Sequence, residues 1–282
     1  MKSSNLLPLL ALHLAVLLFG TAGTFGKALA VTPMILVFGR TLFAALALTP
    51  VVYAQKQLSF KAVPVSVILC GMLLAIHWLT FFASVSAASV AVGLMGFASF
   101  PIFVAWLEPI VFKEKRHAGD WWAALAVAFG MWLMLRGAEW SAGSIAGLLW
   151  GIASGFSFAL LALVNRWQGS KMGAFRLAWL QNMVACLCLA PFVSWPLTLS
   201  TQTWLGLIVL GIVFTALSHG MFMFSLQRIS ARLASLTATL EPVYGIVLAW
   251  LWLHETPSLQ AIAGCVIIIG ATSIATICKT ST

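Results

Sequence analysis

Residues 235–255 read SLTATLEPVYGIVLAWLWLHE, an apolar run interrupted by Glu241 and Pro242. Pro242 lies inside the hydrophobic segment Ala231–Leu253. Pro101 lies 141 residues earlier, half the chain length, inside another such segment, Val90–Phe112. A proline within a helix removes a backbone donor and displaces the carbonyl four residues before it, here that of Ala238 for Pro242. Both segments therefore read as broken helices. In hydrocarbon, irregular backbone is tolerated only where protein or a wet cavity buries it. Two interrupted spans at matching places in two halves mark a path through a membrane where the halves meet. The second break also carries charge. A carboxylate at mid-span costs about 2.5–3.5 kcal/mol on insertion scales, so Glu241 points to a role in that path more than to packing.

The composition places the chain in a membrane. It is 62% hydrophobic and 7% charged, against about 25% charged in a soluble domain. The net charge of +9 is spread singly over segment ends and does not imply nucleic-acid binding. The five cysteines, Cys70, Cys186, Cys188, Cys265 and Cys278, lie in or beside apolar stretches and read as small apolar residues, with no disulfide framework. The start of the chain imitates a signal peptide, with Lys2, an apolar run and Ala28-Leu29-Ala30. Its apolar region is long, however, and its removal would delete one span of the repeat, so retention is expected.

A window of about 20 residues gives ten candidate spans: Leu6–Ala28, Pro33–Ala54, Val63–Ser84, Ala88–Phe112, Gly119–Leu135, Ser144–Val164, Ala174–Ser194, Gln202–Ser225, Ala231–Leu253 and Pro257–Cys278. With a cytoplasmic N-terminus, the inner segments hold Lys2, Lys56, Lys61, Lys113, Lys115, Arg116, Arg166, Lys171, Arg176, Arg228, Arg232 and Lys279. The outer segments hold only Lys27 and Arg136. That bias puts both termini in the cytoplasm. Five spans per half invert the second half relative to the first. Matches near an offset of 140 support the repeat: Gly71 with Gly211, His77 with His219, Leu94 with Leu236, Pro101 with Pro242, Gly130 with Gly270, and 17–20 (LLFG) with 148–151 (LLWG). The expected fold is an all-α membrane protein of ten transmembrane helices in two inverted five-helix repeats, 1–140 and 141–282.

Three features together resemble the EamA-type branch of the drug/metabolite transporter superfamily. These are the pair of five-helix repeats, the stretch 77–83 (HWLTFFA) running into 88–91 (ASVA), and a fourth-helix pattern ending in Phe112-Lys113-Glu114 and again in Leu253-His254-Glu255. The resemblance covers nearly the whole chain. It implies secondary transport of amino acids and other metabolites, usually export, through a central cavity lined by the first four helices of each half. The fifth and tenth helices would then be peripheral. The expectation is an inner-membrane exporter working by alternating access on a small-molecule substrate, with import or efflux of foreign amphiphiles as the alternative within transport. A membrane-embedded enzyme would need a convergent acid/base or metal cluster, which six acidic residues placed mostly at span ends do not supply. No nucleotide-binding pattern, metal-ligand spacing or cofactor motif is present.

Candidate site residues follow from cost and position. Glu241 can bind an amine, accept a proton or hold a gate. Arg40, about seven residues inside its span, can snorkel outward or pair with Glu241 or a substrate carboxylate. His77 and His219 hold equivalent places and can flank one cavity, while His13 stands alone on the first span. Trp78, Phe81 and Phe97 from one half, with Trp150 and Tyr244 from the other, can form an apolar wall. Pro101 and Pro242 mark the helix breaks. Gly20, Gly23 and Gly26 form a stripe for close packing or flexing. Trp121 and Trp122 read as interface anchors.

Overall fold

The computed structural model describes residues 6–59, 63–115, 118–134, 136, 141–169, 171–194, 198–253 and 258–280. Lys2, Lys61, Arg116, Glu139, His254, Glu255, the start of the tenth span at Pro257 and residue 140 at the expected junction of the halves lie outside them. The described residues form helices α1 (Leu6–Ala28), α2 (Pro33–Ala54), α3 (Val65–Ala87), α4 (Val90–Phe97), α5 (Phe100–Phe112), α6 (Ala118–Met134), α7 (Ala142–Gly169), α8 (Ala174–Leu189), α9 (Thr201–Gly211), α10 (Ser218–Leu226), α11 (Ala231–Ala238), α12 (Glu241–Leu253) and α13 (Leu259–Thr280). Seven spans are long and apolar enough to cross a membrane, counting α4–α5 and α9–α10 as one each. Trp121–Met134 and Leu259–Ile274 are shorter apolar helices. With α11–α12 these make an all-α membrane protein of about ten spans. The sixth span runs past the expected Val164 to Gly169.

Both breaks are tight turns. α4 ends at Phe97, and Pro101 occupies the first turn of α5. α11 ends at Ala238, and Pro242 follows Glu241 at the start of α12. Proline suits a helix's first turn, where its missing N–H has no intrahelical partner anyway. The breaks thus fall just before the prolines, at Ala98-Ser99 and Thr239-Leu240, not at them.

The packing maps onto itself when the halves are exchanged. α3 packs on α7 as α10 packs on α1, α4–α5 on α7 as α11–α12 on α1, and α3 on α8 as α9 and its continuation on α2. α2 meets α8, and α6 meets α13, each pairing its own counterpart. Glycines set two of these contacts. A Cβ on Gly20 of α1 would lie 2.7 Å from the Glu241 carbonyl oxygen, and one on Gly96 of α4 would lie 2.6 Å from Cα of Gly151 on α7. Gly20 and Gly151 are the matched glycines of LLFG and LLWG. Close approach of backbones in a bilayer rests on such small residues. α6 and α13 lie at the side of the bundle, packed chiefly on each other.

The eighth span holds a local departure. Between α9 and α10, residues Ile212–Leu217 form a π-helical segment. The repeat offset is 140 for Gly71 and Gly211 but 142 for His77 and His219. The irregular segment lies between Gly211 and His219, where the wider winding of a π turn absorbs inserted sequence within a continuous helix.

Candidate functional site

A cavity of about 40 Å³ lies where the halves meet, lined by residues of α1, α2, α3, α4, α7, α10 and the start of α12. Arg40, His77, Trp78, Phe81, Phe97, His219 and Glu241 all line it, with Phe19, Phe82 and Phe158 among the other walls. It holds a few waters at most. An organic solute needs the walls to part.

The π segment positions Arg40. Its Nε donates to Thr215 Oγ1 at 3.0 Å and Nη2 to the Phe214 carbonyl at 3.3 Å. Thr215 is oriented in turn by donating to the Leu210 carbonyl, five residues back, at 2.8 Å. The guanidinium lies 4.0 Å from the centroid of Trp78, a cation–π arrangement that compensates desolvation. Arg40 is 2% exposed, so it is sequestered and does not snorkel to the membrane surface.

Glu241 is 6% exposed. Among the described residues no salt bridge or hydrogen bond reaches its carboxylate. Arg40 and Glu241 make no direct ion pair: Thr215, Phe214 and Trp78 hold the guanidinium, and the two groups line one cavity. A buried guanidinium and a buried carboxyl group, not bonded to each other and facing a shared space, form a template for a solute with both charges.

The histidines come from opposite halves. His77 Nδ1 lies 2.8 Å from Ser154 Oγ and 3.2 Å from the Ser154 carbonyl, and its ring stacks on Phe158 at 4.5 Å. His219 Nδ1 lies 3.2 Å from Asn182 Nδ2, and its ring meets Trp78 edge-on at 6.0 Å.

Two expected wall residues lie elsewhere. Trp150 is 49% exposed, because α7 turns Gly147, Gly151, Ser154 and Phe158 inward and leaves position 150 at the edge of that stripe. The Tyr244 hydroxyl lies 2.8 Å from His13 Nδ1, and Tyr244 does not line the cavity. Gly23 and Gly26 pack against Phe81 and Phe82, and Trp122 is 72% exposed.

At the Lys113 end of the bundle, four charges join the halves. Glu108 Oε1 lies 2.5 Å from Arg166 Nη1, and its Oε2 lies 2.7 Å from Arg232 Nε. Glu114 binds the same two arginines at 2.7 and 2.8 Å. Glu108 also accepts the backbone N–H groups of Ala231 and Arg232 at 3.0 and 3.2 Å, capping the first turn of α11, where a helix N-terminus favours negative charge. Glu108 is fully buried although it lies near the end of its span. Its signal was the dipeptide Glu108-Pro109, repeating Glu241-Pro242. At the Lys27 end, a second cavity of about 270 Å³ opens among α1, α2, α3 and the connections that follow α1 and α3, and Phe82 borders both cavities.

The architecture is that of a membrane transporter. The sequence profile described as the EamA-like transporter family matches the chain twice, over residues 6–136 and 145–277; the chain belongs to that family. Its relatives include two Bacillus subtilis proteins, each named as an uncharacterized transporter. YxxF is 22% identical over 93% of this chain and 86% of its own length. YwfM is 28% identical over 86% and 84%. One solved crystal structure shares the fold with a TM-score of 0.79, at 18% identity over 98% of this chain and 97% of its own.

Proposed function

We propose that this chain is an inner-membrane secondary transporter that exports amino acids or related small metabolites by alternating access. The observation that carries the reading is the pair Arg40 and Glu241, buried in one cavity, opposite in charge and not bonded to each other. A zwitterion satisfies both at once, its carboxylate toward Arg40 and its ammonium toward Glu241. The aromatic wall of Trp78, Phe81 and Phe97 suits an apolar side chain. A single-charged solute leaves one charge buried and unmatched, at a cost of several kcal/mol.

The positive-inside bias supports cytoplasmic termini. In that orientation the Glu108 cluster bars the cytoplasmic end, and the larger cavity near Lys27 faces outward. Rocking of one repeat against the other would part the ion pairs and close the outer cavity. Cysteines at Ser86 and Ser200, both exposed, are expected to label from outside the cell, and one at Ser170, outside the described residues, is not.

Purified protein in liposomes, assayed by counterflow with a panel of labelled amino acids, tests the reading. Exchange of at least one zwitterion, with none for the matching amine or acid, is the expected result. Exchange of lipophilic cations alone would place the protein among efflux pumps for amphiphiles.

A further inference from the structure

We infer that His77 and His219 are held in opposite tautomers. His77 then presents a bare nitrogen to the cavity and His219 an N–H, so that the pair reads the two ends of a zwitterion. The ligand part of this inference rests on the function proposed above; the tautomer part stands on hydrogen-bond geometry alone.

The partners differ in what they can do. Asn182 Nδ2 donates to the Ala178 carbonyl at 2.8 Å, which fixes the amide nitrogen on that side. Its second hydrogen points to His219 Nδ1 at 3.2 Å. An amide nitrogen only donates, so His219 Nδ1 accepts and the ring proton sits on Nε2. That Nε2 has no protein partner, and the residue is 2% exposed and lines the cavity. A buried donor without an acceptor costs about 1–3 kcal/mol, a cost recovered when a ligand supplies the acceptor.

Around His77 the logic reverses. Ser154 Oγ lies 3.1 Å from the His77 carbonyl and 2.8 Å from Nδ1; its one hydrogen serves only one of them, and given to the carbonyl it leaves a lone pair toward Nδ1. The Ser154 carbonyl, 3.2 Å from the same Nδ1, can only accept. The proton of His77 therefore sits on Nδ1, and Nε2 is bare. Side chains equivalent in the repeat become complementary because α7 offers one a carbonyl and α8 offers the other an amide. His219 adds a donor to Arg40 for a carboxylate. His77 offers the ammonium of a solute an acceptor on the wall of the cavity that Glu241 also lines.

The test is nitrogen NMR on the whole protein in lipid nanodiscs at neutral pH, with histidine labelled in the ring. One ring carrying its proton on Nδ1, a minor form for free imidazole, is expected to vanish in His77→Gln. One protonated on Nε2 is expected to vanish in His219→Gln. The unmutated protein suffices to reject the idea: no Nδ1–H ring, or only doubly protonated rings, overturns it. Binding of L-phenylalanine, phenethylamine and 3-phenylpropionate, read by thermal shift, tests the recognition part. His219→Phe is expected to reduce the preference for phenylalanine over phenethylamine about tenfold, and His77→Phe the preference over 3-phenylpropionate by as much. Equal losses for all three ligands would overturn the assignment of ends. Should the unmutated protein bind none of the three, the zwitterion reading falls, while the tautomer assignment is decided by its own spectrum.

Discussion

Glu108 and Glu241 are both buried carboxylates, both followed by proline, one in each broken span, yet their surroundings are opposite. Glu108 is saturated: two arginines and two backbone N–H groups converge on it, all from the other half of the molecule. Glu241 has no partner among the described residues and faces a cavity. A buried charge whose bonds are complete holds structure, because removing it strands its partners. A buried charge without partners weakens structure, and its presence is explained by something that arrives. The same residue type in the same dipeptide thus serves as a tie between halves in one span and as a receptor in the other.

Neutralising each acid breaks this comparison most directly. Glu241→Gln keeps the shape and is expected to lower zwitterion transport at least tenfold in liposomes, the factor that corresponds to about 1.4 kcal/mol. Its melting temperature in detergent should stay the same or rise, since an unpaired buried charge is gone. Glu108→Gln should do the reverse. Breaking a buried pair by removing one partner costs about 3–5 kcal/mol, so its melting temperature should fall by several degrees. Wild-type transport by Glu241→Gln, or a stable Glu108→Gln, would erase the distinction.

Arg40 sharpens it. Thr215 and the Phe214 carbonyl hold its fork, and no ion pair links it to Glu241. The double variant Arg40→Gln with Glu241→Gln is therefore expected to transport no better than Glu241→Gln alone. Recovery of activity would show that the two charges merely balance each other. Arg40→Lys keeps the charge but loses the planar fork and its stacking on Trp78, and a roughly three- to tenfold loss is expected.

How far the sequence disclosed this arrangement depended on the kind of signal. Spans and repeat are written in hydropathy, in basic residues at segment ends and in the spacing of Pro101 and Pro242, because bilayer thickness and backbone satisfaction leave a chain few options. Arg40, His77, His219 and Glu241 stood out because polar groups in hydrocarbon are costly, and the structure brings them to one cavity. Their supports did not stand out. Ser154, Thr215 and Asn182 are small polar residues of a kind common in membrane helices, and which nitrogen or carbonyl they meet depends on helix rotation. The π segment left a trace only as a shift in repeat offset. Glu108 was passed over because distance from a span end says little about burial when a second half caps that end. Trp150 misled for a related reason: aromatic character does not tell the wall of a cavity from a surface facing lipid.

The smallest effect is expected where that last expectation failed. Trp150 is half exposed on the outer edge of α7, while Gly151 beside it meets Gly96 and Ser154 four residues on holds His77. Trp150→Ala removes a large side chain without opening the cavity or touching Arg40, Glu241 or either histidine. Its zwitterion transport should stay within about twofold of the unmutated protein, the range of surface changes near 0.5 kcal/mol. Trp78→Ala should differ sharply, since Trp78 lies under the Arg40 guanidinium and against His219. Measured side by side at matched protein levels, these two tryptophans test whether the cavity is the site. Equal losses at both would mean that transport depends on aromatic packing throughout the bundle. A loss confined to Trp78 assigns the function to the ring of groups between Arg40 and Glu241.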